Sequence, residues 1–234
     1  MLSSTRLLFV LSACLCLFAV QGQFGTGQLI HDLPNTGPVE QADIDGDGDL
    51  DLVMITNGHH IKWMANDGGG AFGTLQTIAN ATNDILFYSI FDKDLDGGLD
   101  VVFMEVDDDQ VYLCAATGNG LYEPPTVIYS VSEQVGALTS GDITGDGFPE
   151  VLLTMASTEG PGVTWLANNA GTYGDATVLQ GLYPGEPSPF LLAGDMDLIG
   201  GVDLVVRGAD GWLYALLNTS GDATVWNTQY LLTF

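Results

Sequence analysis

With 30 acidic residues against four basic ones in 234, the chain carries a formal charge of −26. That excludes nucleic acid, whose phosphates need Lys and Arg to replace their counterions, and it excludes docking on an anionic membrane surface; it favours cations. Hydrophobic residues make up 46% and glycine 31 residues, and no long 3.6-period stretch occurs, so a sizeable core must be built from strands joined by tight turns.

The N-terminus is unlike the rest. Arg6 precedes the apolar run Leu7–Val20, and Gln21–Gly22–Gln23 follows. The run is too short to span a bilayer comfortably. A positive residue, an apolar stretch and small residues before a break form a secretory signal peptide, with cleavage expected before Gln23. A second reading takes Leu11–Cys14 (LSAC) as a lipobox, with a lipid anchor on Cys14. Removal of residues 1–22 would leave Cys114 as the single cysteine, so no intrachain disulfide framework is expected. Metal is one other way to hold loops.

Beyond the leader, FGTGQLI (Phe24–Ile30) reads as an outermost strand. Then comes DIDGDGDLD (Asp43–Asp51), followed by LVMI. The segment recurs as DKDLDGGLD (Asp92–Asp100), DITGDGFPE (Asp142–Glu150) and DMDLIGGVD (Asp195–Asp203), about every 50 residues. Each copy leads into an apolar strand (LVMI, VVFM, VLLTM, LVVR), a turn and a second strand (IKWMAN, VYLCAA, VTWLAN, LYALLN). A Gly/Asn-rich turn and a last strand close the first three units. A short strand leads into an acidic segment, as in Leu86–Phe91 and Gly136–Gly141. The predicted unit is a four-stranded antiparallel meander, with units starting near 40, 89, 139 and 192. Such a sheet cannot bury both faces alone, and radial stacking of copies gives an all-β, β-propeller fold. Four complete blades are expected, either as a small ring or as part of a larger one.

The acidic segments point to a metal. Asp43, Asp45 and Asp47 alternate along a tight loop, Asp51 closes it, and Asp49 can add its backbone carbonyl. Gly46 and Gly48 let the chain curl. Hard oxygens converging on one centre suit Ca²⁺, which takes about 6–8 of them. Zinc would need His or Cys, and these segments hold neither. An EF-hand would need Glu at the twelfth position and flanking helices; Met54 stands there, inside a strand. The second loop offers Asp92, Asp94, Asp96 and Asp100. The third offers Asp142, Thr144, Asp146 and Glu150, with a neutral hydroxyl at its third position. The fourth offers Asp195, Asp197 and Asp203, but Ile199 replaces the fifth-position oxygen, so that site is expected to be weak. Half of the 30 acids lie in these four segments.

The pattern D-x-D-G-D-G-x-x-D, an apolar strand, then W-x-x-N-x-G-x-G-x-F resembles the FG-GAP/VCBS repeat family, which includes the N-terminal propeller of integrin α subunits. Trp63, Asn66, Gly68, Gly70 and Phe72 carry its second part in the first unit, and Trp165, Asn168, Gly171 and Tyr173 in the third. The resemblance covers residues 24–234 and implies a propeller with Ca²⁺ in the loop between the first two strands of a blade. The units are shorter than an integrin blade, and four are present where family propellers usually have about seven.

Other residues carry less. His59 and His60 form a turn, and neighbours on a strand point to opposite faces. Trp63 and Trp165, at equivalent positions, are expected between blades. Asp107–Asp109 reads as a solvated turn. Asn80 and Asn218 begin glycosylation sequons. Hydrolase and nucleotide motifs are missing. The expected function is a secreted, calcium-binding, non-catalytic adhesion or binding module with an extracellular protein or glycan ligand, and self-association could complete the propeller. The alternatives are a glycan-binding lectin and a secreted hydrolase or lyase on the same scaffold.

Overall fold

The structure is a computed structural model; it describes residues 29–30, 32, 36–155, 162–180, 187–208 and 210–233. The chain divides into two units, Met1–Asp32 and Leu33–Phe234. In the first, the described residues Leu29, Ile30 and Asp32 form no strand. The expected signal peptide and most of the expected strand at Phe24–Ile30 lie outside the described residues.

The second unit is built from strands. β1 (Thr36–Ala42), β2 (Asp51–Thr56), β3 (His60–Met64) and β4 (Gln76–Asn80) form the first sheet in sequential antiparallel order. The second sheet holds β5 (Ile85–Phe91), β6 (Asp100–Glu105) and β7 (Gln110–Cys114); the ribbon of β8 (Ala116–Gly118) and β9 (Leu121–Tyr122) intervenes before β10 (Thr126–Ser130) completes it. β11 (Val135–Gly141), β12 (Glu150–Met155), β13 (Gly162–Asn169) and β14 (Thr172–Gln180) form the third. β15 (Leu191–Gly194), β16 (Asp203–Arg207), β17 (Trp212–Asn218) and β18 (Trp226–Thr233) form the fourth. These are the four expected blades, and no helix occurs among the described residues.

Strand period 2 places alternate residues on opposite faces, and here both faces of the middle blades are apolar. In β6, Val101 and Phe103 join a cluster with Val53, Ile55, Ile61 and Trp63 of the first sheet. Their neighbours Val102 and Met104 join a second cluster with Leu138, Val151 and Leu153 of the third. Leu152, Val163 and Trp165 face the fourth sheet, against Leu204, Val206, Tyr214 and Leu216. Trp63 (1% exposed) and Trp165 (8%) lie between blades, as their equivalent positions predicted. Among the described residues no hydrophobic cluster joins the fourth sheet to the first. The described blades thus pack in series, as an arc running from the first sheet to the fourth.

Candidate metal-binding loops

All four acidic segments connect the first and second strands of a blade, so the meander brings them to one end of the arc. The loops curl by feeding their own amides to the leading aspartate. Asp43 accepts from Gly46 N at 2.9 Å and from Gly48 N at 3.0 Å. Asp142 does the same with Gly145 and Gly147 at 2.7 and 2.9 Å. Gly46 and Gly145 have φ of 78° and 73°, a conformation that suits glycine. At the same position the second and fourth loops hold Leu95 and Leu198 at φ 61° and 60°.

The closing acid has a role that spacing alone did not show. Asp51 is fully buried; its Oδ2 accepts from Ile44 N at 2.9 Å and its Oδ1 from Asn66 N at 2.8 Å, past the end of β3. Asp100 repeats this with Lys93 N and Ala116 N (2.9 and 2.8 Å), and Asp203 with Met196 N and Asn218 N (both 2.8 Å). The carboxylate therefore brackets loop to strand. Each oxygen keeps a second lone pair, so bracketing leaves it able to face a cation.

Three sets of carboxylates converge, each with ligand atoms within 4.8 Å of one another: Asp43, Asp45 and Asp51; Asp92, Asp94 and Asp96; Asp195, Asp197 and Asp203. In the first loop, Asp47 Oδ1 instead accepts from Asp49 N at 2.9 Å. The carboxylate of Asp49 lies beside Gly68, where an added Cβ would sit 2.4 Å from its Oδ2. Burial, followed by the charges of Asp51, Asp47 and Asp43, pushes the Asp45 carboxyl above its ordinary value. The donor set is hard oxygen throughout, which fits Ca²⁺.

The second loop contains a cation of its own. Lys93 Nζ lies 2.6 Å from Asp94 Oδ2 and 3.5 Å from Asp100 Oδ1. Asp100 is not among the three acids that converge in this loop. Its carboxyl is nevertheless raised, because burial outweighs the amides and the lysine. The third loop gathers no triad among the described residues. Thr144 Oγ1 donates to Glu150 Oε1 at 3.1 Å, and Ile143 N donates to Oε2 at 2.9 Å. Burial pushes the Glu150 carboxyl up to about 7. Asp146 accepts from Phe148 N at 2.9 Å. The fourth loop does gather its three acids despite Ile199, which is 64% exposed.

Two residues tie the loops to the next blade. Asn168 Nδ2 donates to Lys93 O at 2.8 Å, and Asn218 Nδ2 donates to Ile143 O at 2.8 Å. Asn218 is fully buried, so its sequon is inaccessible in the folded chain; Asn80, which begins the other, is exposed. The second blade has Ala116 at the corresponding place, and its first-blade neighbour lacks the tie. The motif asparagine was visible in sequence, but its acceptor in the adjoining repeat was not.

Antiparallel four-stranded blades packed face to face, each with an acidic loop between its first two strands, define a β-propeller repeat protein. Residues 43–103 and 92–153 match the FG-GAP-like repeat, so the first two units are repeats of that family. Among solved structures, one described as the basis of recognition of non-reducing terminal N-acetylglucosamine by an Agrocybe aegerita lectin aligns at a TM-score of 0.58 and 20% identity, over 84% of this chain and 52% of that chain. A crystal structure of BBS1N in complex with ARL6DN aligns at 0.50 and 15% identity, over 83% and 57%. The Dos1 propeller aligns at 0.49 and 8% identity, over 77% and 44%. The chain spans about half the length of these structures. No curated protein matches it in sequence.

Proposed function

We propose that this protein is a calcium-stabilised, non-catalytic binding module acting outside the cell. The observation that carries the calcium reading is the convergence of three carboxylates in each of three loops. Without a cation the Asp43–Asp45–Asp51 group is self-repulsive; a divalent ion removes that cost and ties loop to strand. Because such an ion binds the folded loop and hardly the unfolded chain, tenfold excess over Kd adds about 1.4 kcal/mol per site. The first loop is the strongest candidate. The second has to share its acids with Lys93, and the fourth lacks a fifth-position oxygen. Export is the role the Leu7–Val20 run would serve, and among the described residues no helix is long and apolar enough to cross a membrane.

The test is thermal melting of chelated protein, with Ca²⁺ or Mg²⁺ added back. Calcium should raise the melting temperature more than magnesium does. Identical curves in chelator and in millimolar Ca²⁺ would refute the calcium reading.

Fold likeness to a lectin favours a glycan as one ligand class for the module. Binding on a glycan array, retained at physiological salt, would support it; a blank array would leave a protein ligand.

A further inference from the structure

At the end of the arc away from the acidic loops, a cleft of about 270 Å³ opens between the second and third blades. Its floor is the margin of their shared core: Phe87, Met104, Val131 and Val135. Its rim is acidic. Asp107, Asp108 and Asp109 come from the β6–β7 turn and Glu133 from the β10–β11 connection. Asp108 accepts from Tyr112 Oη at 2.7 Å. Glu105 also lines the cleft and is only 5% exposed. Its Oε2 accepts from Thr82 N and Asn83 N at 3.1 and 2.9 Å, and among the described residues no hydrogen bond reaches its Oε1. No Lys or Arg lines the cleft. The aspartate run is not part of the repeat: the corresponding turn of the first blade reads Asn57–Gly58–His59.

We propose that this cleft docks a lysine or arginine side chain presented by a partner protein. An apolar floor under a carboxylate rim matches a side chain with a methylene stem and a cationic head. A hydrated metal ion would have no use for the floor, and a neutral side chain none for the rim. The volume lies below the roughly 300–1,000 Å³ typical of small-molecule sites, which suits one inserted side chain. The chain has only four basic residues in all, and none lines this cleft. Its surplus of acid attracts a basic partner, and the cleft decides where that partner's side chain seats. This inference rests on the binding-module reading and names the partner's chemistry. It uses none of the calcium loops, so the calcium experiment and this one fail independently.

The test is an NMR titration of ¹⁵N-labelled protein at physiological ionic strength with acetyl-Gly-Gly-Lys-Gly-Gly-amide and with its Nε-acetyl-lysine counterpart. The lysine peptide should shift the amides of residues 86–87, 104–109 and 131–135. Binding should be at least tenfold weaker for the acetylated peptide and for the Asp107→Asn/Asp109→Asn/Glu133→Gln variant. Asparagine suits Asp107, which stands at φ 57°, so this variant should melt with wild type. Glu133→Gln alone, on an exposed turn, should weaken binding measurably and serves if the triple variant fails to fold. Saturating Ca²⁺ should leave the binding intact. Equal binding of the two peptides, no loss in the variants, abolition by Ca²⁺, or shifts confined to the acidic loops would each overturn the proposal.

Discussion

The side-chain amide of Asn218 donates to the carbonyl of Ile143, 75 residues earlier, at 2.8 Å, and Asn168 makes the same bond to Lys93 across the same sequence interval. Each bond runs from the end of one blade's third strand to the second residue of the preceding blade's acidic loop. The second and third acidic loops are therefore each held by the next blade as well, and blade packing and loop shape are coupled.

Asn218→Ala should destabilise strongly. It removes the donor to Ile143 O and the acceptor for Gly221 N and Ala223 N. Buried groups left without partners cost about 1–3 kcal/mol each, so urea melting should show a loss of about 2 kcal/mol or more. Asn66→Ala is the contrast. Asn66 bonds only within its own blade and is half-buried, and about 1 kcal/mol or less is expected. Equal losses would mean that the inter-blade bond adds nothing.

Asp51→Ala and Asp45→Ala separate bracket from ligand. Asp51 holds two backbone amides in full burial, and hydrogen bonds to a charged group are worth about 1.5–3 kcal/mol. Its replacement should lower the melting point in chelator as well as in Ca²⁺. Asp45 bonds only an exposed amide at 3.3 Å, so its replacement should leave the chelated protein unchanged or slightly steadier and remove part of the calcium response. Asp197→Ala should remove less of that response than Asp45→Ala. If Asp51→Ala melts like wild type in chelator, the bracket is not structural.

Gly120 and Trp63 are one contact. A Cβ at Gly120 would sit 2.0 Å from Trp63 Cζ2, and Gly120 has φ 69°. Trp63→Ala should cost about 3–5 kcal/mol. Gly120→Ala should also destabilise, through the clash and the backbone. In a double variant the costs should fall short of additive, because removing the indole removes the clash. Strict additivity in calorimetry would separate the two residues.

Glu150 should make the metal-free protein lose stability as pH rises. Its folded carboxyl is raised to about 7 from 4.5, so the folded state holds the proton more tightly than the unfolded chain. That contribution is complete below about pH 4.5 and is lost as pH climbs through about 7. Asp45 and Asp100 are shifted in the same direction. In chelator, Glu150→Gln should flatten the fall in melting temperature between pH 5 and pH 8. An unchanged slope would assign the fall to other groups.

The repeat, the strand type and the loops were legible because they depend on local chemistry. Continuous Val/Ile/Leu runs of strand length bury both faces, and aspartates on alternate residues of a glycine-bearing turn lie close together. Trp63 and Trp165 were placed between blades by their equivalent positions alone. Less legible was Lys93, a lone base in an acidic loop; its neighbours Asp94 and Asp100 were read as metal ligands, and the structure also brings its ammonium to both. Nor was it legible that loop four gathers three carboxylates and loop three none among the described residues, since Glu150 has the reach to fold onto Thr144 whereas Asp203 holds close to Asp195 and Asp197.

By itself the sequence determined an all-β repeat of four-stranded blades and its acidic connections, because each follows from residues within one unit. Only the tertiary structure decided which carboxylates meet, that the closing acid brackets loop to strand, and that Asn218 is buried against the preceding blade. Those features depend on contacts between units about 50 residues apart, where register and packing, not local pattern, set which atoms come within bonding distance.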